Sequence, residues 1–81
     1  MNIHGKNYEL IRASDVQRDG MALECWEVGA TSGPLLEAFW RDSDRDFRFT
    51  AFEQNLPFGL VEVFVESALD ALPPKSSGKT G

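Results

Sequence analysis

The sequence predicts a single α+β domain in which a four-stranded antiparallel sheet carries one C-terminal helix. Three observations predict it: β-forming segments between short turn-rich loops, one long apolar segment with helical periodicity, and a length of only 81 residues. Short connections favour antiparallel neighbours, because parallel strands need long crossovers. A helix that covers one face of this sheet gives a two-layer sandwich of order ββββα.

The strands are assigned from the turn signals between them. Asp19-Gly20 is typical of a tight hairpin turn, and a loop rich in Gly, Ser and Pro over 29–34 ends the hairpin. A polar turn around Asp44-Arg45 separates the last two strands. The segment 1–6 is expected to be a loose lead-in. The predicted strands are 8–16, 21–28, 35–42 and 47–54.

The helix is predicted over 57–72. Asn55 can cap it and Pro57 suits its first turn, whereas Pro73-Pro74 stops it, because a proline disfavours helical geometry in the preceding residue. The folded domain is therefore expected to span 1–74. The remaining Ser/Gly/Lys segment, 75–81, is expected to be a disordered tail.

Side-chain alternation along the strands separates a core face from a second face. A turn centred on Asp44-Arg45 pairs Trp40 with Phe49, and a two-residue turn in the first hairpin pairs Val16 with Leu23. We expect Phe49 to be buried with Trp40 and Phe64 beneath the helix. The predicted core face comprises Leu10, Val16, Met21, Leu23, Cys25, Leu36, Ala38, Trp40, Phe47, Phe49 and Ala51.

The second face presents aromatic side chains that one helix cannot cover. An exposed aromatic patch usually marks an interface. The helix adds an acidic ridge with a spacing of four residues. The predicted partner-binding residues are Trp26, Phe39, Phe52, Glu37, Glu62, Glu66 and Asp70. In the alternative interpretation charged neighbours or the N-terminal segment break up the patch, and the ridge is an ordinary solvated edge.

The sequence offers little for catalysis or metal binding. One cysteine excludes an internal disulfide, and one histidine leaves little for a zinc site. Asp42, Asp44, Asp46 and Glu53 match part of a calcium loop, but Phe47 stands where the loop needs glycine. No phosphate-binding glycine motif occurs. We therefore expect no catalytic residue, no metal and no cofactor.

The charge balance bears on the class of partner. The chain has 13 acidic and 8 basic residues, and segment 1–74 holds all the acids but only six of the basic residues, for a net charge of −7. An acidic body repels phosphate backbones, so direct nucleic-acid binding is disfavoured. No apolar run is long enough for a membrane span, and no apolar signal region begins the chain, so a cytoplasmic location is expected.

These observations lead to a functional hypothesis. The chain is expected to be a small non-enzymatic binding domain, of the immunity or inhibitor type, that occludes a basic effector such as a nuclease. Charge complementarity would speed encounter, and aromatic anchors would hold the complex. The alternatives are a homo-oligomeric structural domain without a ligand and, less favoured, a small enzyme.

Overall fold

The computed structural model describes residues 1–72 and has an antiparallel sheet with one helix packed on it, the predicted α+β fold. The sheet has five strands in chain order, one more than predicted. The expected tail, 75–81, lies outside the described residues. The elements are β1 (Asn2–Ile3), β2 (Lys6–Asp15), β3 (Gly20–Glu27), β4 (Leu36–Arg41), β5 (Asp46–Ala51) and α1 (Phe58–Ala71).

The additional strand lies in the segment that was expected to be a loose lead-in. Ile3 pairs with Lys6 across a two-residue turn, in which His4 and Gly5 both adopt positive φ. The backbone N–H of Tyr8 donates to the carbonyl of Met1 at 2.7 Å, which extends the pairing. His-Gly is not among the common hairpin dipeptides, so the turn gave no sequence signal.

The first long hairpin, β2–β3, closes through a four-residue loop and not through the predicted two-residue turn. Leu23 therefore pairs with Arg12 instead of Val16. The loop begins directly after Asp15, before the predicted Asp19-Gly20 turn, because the Asp15 carboxylate accepts the backbone N–H of Arg18 at 3.1 Å. Asp and Asn side chains commonly stabilise turns in this way, by competing with the strand ladder.

The β4–β5 hairpin also has a register other than the predicted one. Trp40 pairs with Phe47, and not with Phe49, while Arg41 pairs with Asp46. Arg45 closes the loop with a φ of 55°. Both hairpins differ from prediction by an even number of residues, so each strand side chain keeps its predicted face. The exception is Val16, which lies in the first loop and is 90% exposed.

The core lies between α1 and the central strands. The buried helix residues Leu60, Phe64 and Ala68 pack with Leu23 and Leu36 of the sheet. Periodic spacing places these three helix residues on one side. The predicted partner of this core, Phe49, is 52% exposed and only flanks Phe64, at a ring-centroid distance of 6.1 Å.

The ends of α1 follow the prolines more closely than the predicted cap. Pro57 occupies the N-cap position, and no side chain caps the helix. The predicted cap, Asn55, instead adopts a φ of 61° in the preceding turn. At the other end Leu72 is extended, with φ −133° and ψ 146°, as expected for a residue before proline.

Candidate interaction surfaces

Two glutamates face each other on the side of the sheet opposite the helix. Glu24 of β3 and Glu37 of β4 are direct cross-strand neighbours. Like charges in this position are destabilising. Each carboxylate has its own hydrogen-bond donor. The indole N–H of Trp26 donates to Glu24 at 2.9 Å, and the guanidinium of Arg18, in the β2–β3 loop, donates to Glu37.

Arg18 joins three side chains of this helix-free face. Its guanidinium donates to both carboxylate oxygens of Glu37, at 2.7 and 3.3 Å, and to Asp15 at 2.6 Å. The guanidinium carbon also lies 4.1 Å from the ring centroid of Phe39. The hydrogen bonds to Glu37 and then to Asp15 raise the pKa of Arg18, and the same contact with Arg18 lowers the pKa of Asp15. Arg18 is therefore a charged cover over this face.

Gly20 makes this arrangement sterically possible. A Cβ at this position would lie 1.9 Å from the carbonyl oxygen of Trp40 and 2.7 Å from the ring of Phe39. Any larger residue would push β3 away from β4. The glycine of the predicted turn dipeptide is therefore required for close packing in the strand.

The predicted aromatic patch is not continuous on this face. Phe39 is 5% exposed beneath Arg18, and Glu37 is 8% exposed. Trp26 is partly buried, whereas Phe52 is 57% exposed beyond the end of β5. Arg18 thus closes the centre of this face, and its exposed apolar residues lie towards its margins: Ile11, Val28 and Phe52. The role of Trp26, Glu37, Phe39 and Phe52 in binding stays a prediction.

A continuous apolar surface lies instead on the helix side, at the β5 edge. A groove of about 180 Å³ runs between β5 and α1, and Ala38, Phe64 and Ala68 form part of its lining. Its outer walls are Phe47, Phe49, Val65 and Leu69, whose exposed fractions are 37, 52, 41 and 62%. We call these four residues the groove surface.

The predicted acidic ridge borders this groove. At about 100° per residue, Val65 and Leu69 lie between the buried stripe of α1 and the side that carries Glu62 and Glu66. Glu62, Glu66 and Asp70 are all exposed. Phe58, 75% exposed, continues the apolar stripe towards the start of the helix. The helix therefore presents an exposed apolar stripe with an acidic border.

The described residues show no constellation for metal binding or nucleophilic catalysis. Within 1–72 no group of three potential ligands occurs, and the aspartates of the calcium-like segment belong to the β4–β5 hairpin. Cys25 is fully buried, and burial raises the pKa of its thiol. His4 lines a different cleft of about 430 Å³, which Cys25 does not reach. No helix in this part of the chain is long and apolar enough to cross a membrane.

Comparison of the chain with models of protein families, with curated proteins and with solved structures finds no match.

The sequence did not indicate Arg18, Phe49 or Val65 as surface residues, whereas Leu69 was expected to widen the apolar arc of the helix towards a second subunit or partner. For Val65 and Leu69 a signal existed, because the apolar arc of the helix is wider than the stripe one sheet needs. Phe49 was assigned to the core because it lies on the core face. The face is correct, but β5 is an edge strand and the helix lies over the centre of the sheet.

Proposed function

We propose that this chain is a non-enzymatic protein-binding domain whose contact site is the groove surface with its acidic border. The observation that carries the proposal is the exposure of four large apolar side chains around one groove. Contiguous apolar surface of this kind marks interaction sites in soluble proteins. An apolar centre with a polar rim is also the usual anatomy of a protein interface.

The charge of the border supports a basic partner. Glu62 and Glu66 follow the apolar stripe along α1, and the segment 1–74 has a net charge of −7. Complementary charge increases association rates and selects among partners. A basic effector such as a nuclease, occluded as an immunity or inhibitor protein would do, fits this surface. The same acidity disfavours direct nucleic-acid binding, and a cytoplasmic location is part of the proposal.

The test is a capture experiment with the tagged full chain and an extract of its native host. We expect a basic protein to bind the wild type and to be lost from Val65→Ser/Leu69→Ser. Truncation of an interface anchor commonly costs about 2 kcal/mol of binding, or roughly thirtyfold in affinity. Glu62→Lys/Glu66→Lys should weaken capture of the same protein and reduce its salt dependence.

The matched control is Val16→Ser, which replaces an apolar residue that is 90% exposed and far along the chain from α1. It should capture the partner as the wild type does, and circular dichroism should show that every variant is folded. Equal capture by the groove variant and the wild type would contradict the proposal. Capture lost only on Phe52→Ser would instead support the helix-free face.

A further inference from the structure

Within residues 1–72 the outer edge of β5 pairs with no other strand, and it lies directly beside the groove surface. In an antiparallel strand the N–H and C=O of one residue point to the same side, and successive residues alternate. The N–H of Phe52 donates to the carbonyl of Leu35 at 2.8 Å, so the even-numbered residues of β5 turn towards β4. Phe47, Phe49 and Ala51 therefore turn their backbone groups to the open edge.

We propose that a second copy of this chain pairs with this edge, antiparallel and centred on Phe49, to form a continuous ten-stranded sheet. In this register Phe49 lies opposite its own symmetry mate, and Phe47 lies opposite Ala51 of the other copy. All three are residues with open backbone groups. The two helices lie on the same face of the joined sheet, and the four phenylalanines of the two copies meet between them.

The alternating side chains on the other face favour the same register. Arg48 then lies opposite Thr50 of the second copy, so no like charges oppose each other directly. A shift by one ladder pair in one direction would place Arg48 opposite its own symmetry mate. The same shift in the other direction would place Phe47 opposite Glu53, beyond the end of β5. Arg48 is also held by Asp46 of its own strand at 2.6 Å.

The local charge permits two acidic molecules to meet here. The segment 41–51, from the last residue of β4 to the end of β5, has three arginines and three aspartates and is electrically neutral. The acidic ridge on α1 borders the groove, but it is not part of the strand edge that pairs. This neutrality lets the β5 edges of two acidic copies approach without like-charge repulsion. The pairing uses Phe47 and Phe49 of the groove surface but does not require Val65 or Leu69, so different variants test the dimer and the proposed function.

The other edge of the sheet lacks these features. There β1 already pairs with the start of β2, and the open backbone groups beyond it belong to Leu10, Arg12 and Ser14. The exposed Arg12 lies in the middle of this row. A charged residue on an edge strand discourages edge-to-edge pairing. Among the strands of the described part of the chain, β5 alone presents an apolar row at an open edge.

The test is sedimentation equilibrium of the purified full chain over a wide concentration series. We expect the wild type to approach twice its 9.0 kDa mass as concentration rises. Ala51→Pro removes an outward N–H without touching the β4 ladder, and proline is tolerated at edge positions. It should raise the dissociation constant at least tenfold. Phe47→Lys places a charge in the apolar row and should have the same effect.

The matched control is Ser14→Pro, which removes an outward N–H from the opposite edge and should dimerise as the wild type does. A wild type that keeps its monomer mass throughout the series would overturn the proposal. Dimerisation that survives in folded Phe47→Lys would overturn it as well, even if Ala51→Pro failed to fold. Loss of the dimer in Ser14→Pro would assign the contact to β2.

Discussion

Arg18 is the residue on which the helix-free face most depends. It neutralises a buried carboxylate, covers an aromatic ring and closes the β2–β3 loop through Asp15. The side chain of Glu37 is 11% exposed, whereas that of Arg18 is 43% exposed. Most of the stabilisation from this contact therefore comes from the pairing of the Glu37 carboxylate, because burial of that carboxylate without a cation would be costly. The partly solvated arginine itself contributes less.

Arg18→Ala should lower the free energy of unfolding by about 1–3 kcal/mol, because it leaves the Glu37 carboxylate buried without a charged donor. Urea denaturation of the variant and the wild type measures this loss. Arg18→Ala/Glu37→Leu should recover more than half of it, since the double variant removes the uncompensated charge. Equal losses of unfolding free energy in the single and double variants would contradict this. They would show that the packing of Arg18 over the Phe39 ring, and not the ion pair with Glu37, stabilises the fold.

Acid-induced unfolding of the same variant gives a second measurement. Arg18 lowers the pKa of Asp15, so the folded state favours the ionised carboxylate. Stability from this contact is present above the ordinary pKa of 3.8 and is lost as the pH falls through the lowered value. Arg18→Ala should abolish this contribution, so its acid transition should begin at higher pH. Arg12→Ala, at another exposed arginine, should leave the transition unchanged.

At the scale of the elements, the sequence was sufficient for the type and order of the four long strands and the helix. It was also sufficient for the face of the strand residues that it assigned, apart from Val16, which lies in a loop. It was insufficient for the registers, because a carboxylate at Asp15 that bonds the Arg18 backbone closes the loop before Asp19-Gly20. It missed β1, whose His4-Gly5 turn is stabilised by backbone pairing and has no common hairpin dipeptide.

The burial of an individual core-face residue depends on where the helix lies, which alternation does not specify. Phe64 is fully buried, whereas Phe49, on the same face of an edge strand, is half exposed. The helix lies over the central strands and leaves β5 partly uncovered, and this position exposes the groove surface. The alternation of side chains therefore predicted the correct layer, and the helical spacing predicted the acidic ridge. Neither pattern could distinguish buried aromatic residues from exposed ones.

Phe64→Ala should cost about 3–5 kcal/mol of unfolding free energy, as expected for a ring removed from a packed core. Phe49→Ala should cost only about 1–2 kcal/mol, because roughly half of its ring is already in water. Chemical denaturation of both variants under the same conditions gives the comparison. Similar losses would mean that α1 covers β5 more fully in solution, which would also remove the groove.

At the scale of the whole molecule, the Cys25 thiol reports whether the helix is packed on the sheet. Cys25 is 0% exposed in the central strand β3 and packs in the same cluster as Leu60 and Phe64 of α1. Burial raises the pKa of its thiol, so the reactive thiolate is further disfavoured in the folded chain. A reagent in solution can reach the sulfur only after the helix separates from the sheet.

Labelling of Cys25 by a thiol-specific disulfide reagent should be at least about a thousandfold slower in the native chain than in urea. If the helix and sheet open as one unit, the labelling rate of each destabilised variant should rise in proportion to its loss of unfolding free energy. A loss of about 1.4 kcal/mol should make labelling tenfold faster. Arg18→Ala is the decisive variant, because it perturbs the face away from the helix. Acceleration by Phe64→Ala but not by Arg18→Ala would show that α1 detaches while the sheet stays folded. That local opening would free the apolar residues of α1 for a partner without unfolding the strands that hold the β5 edge.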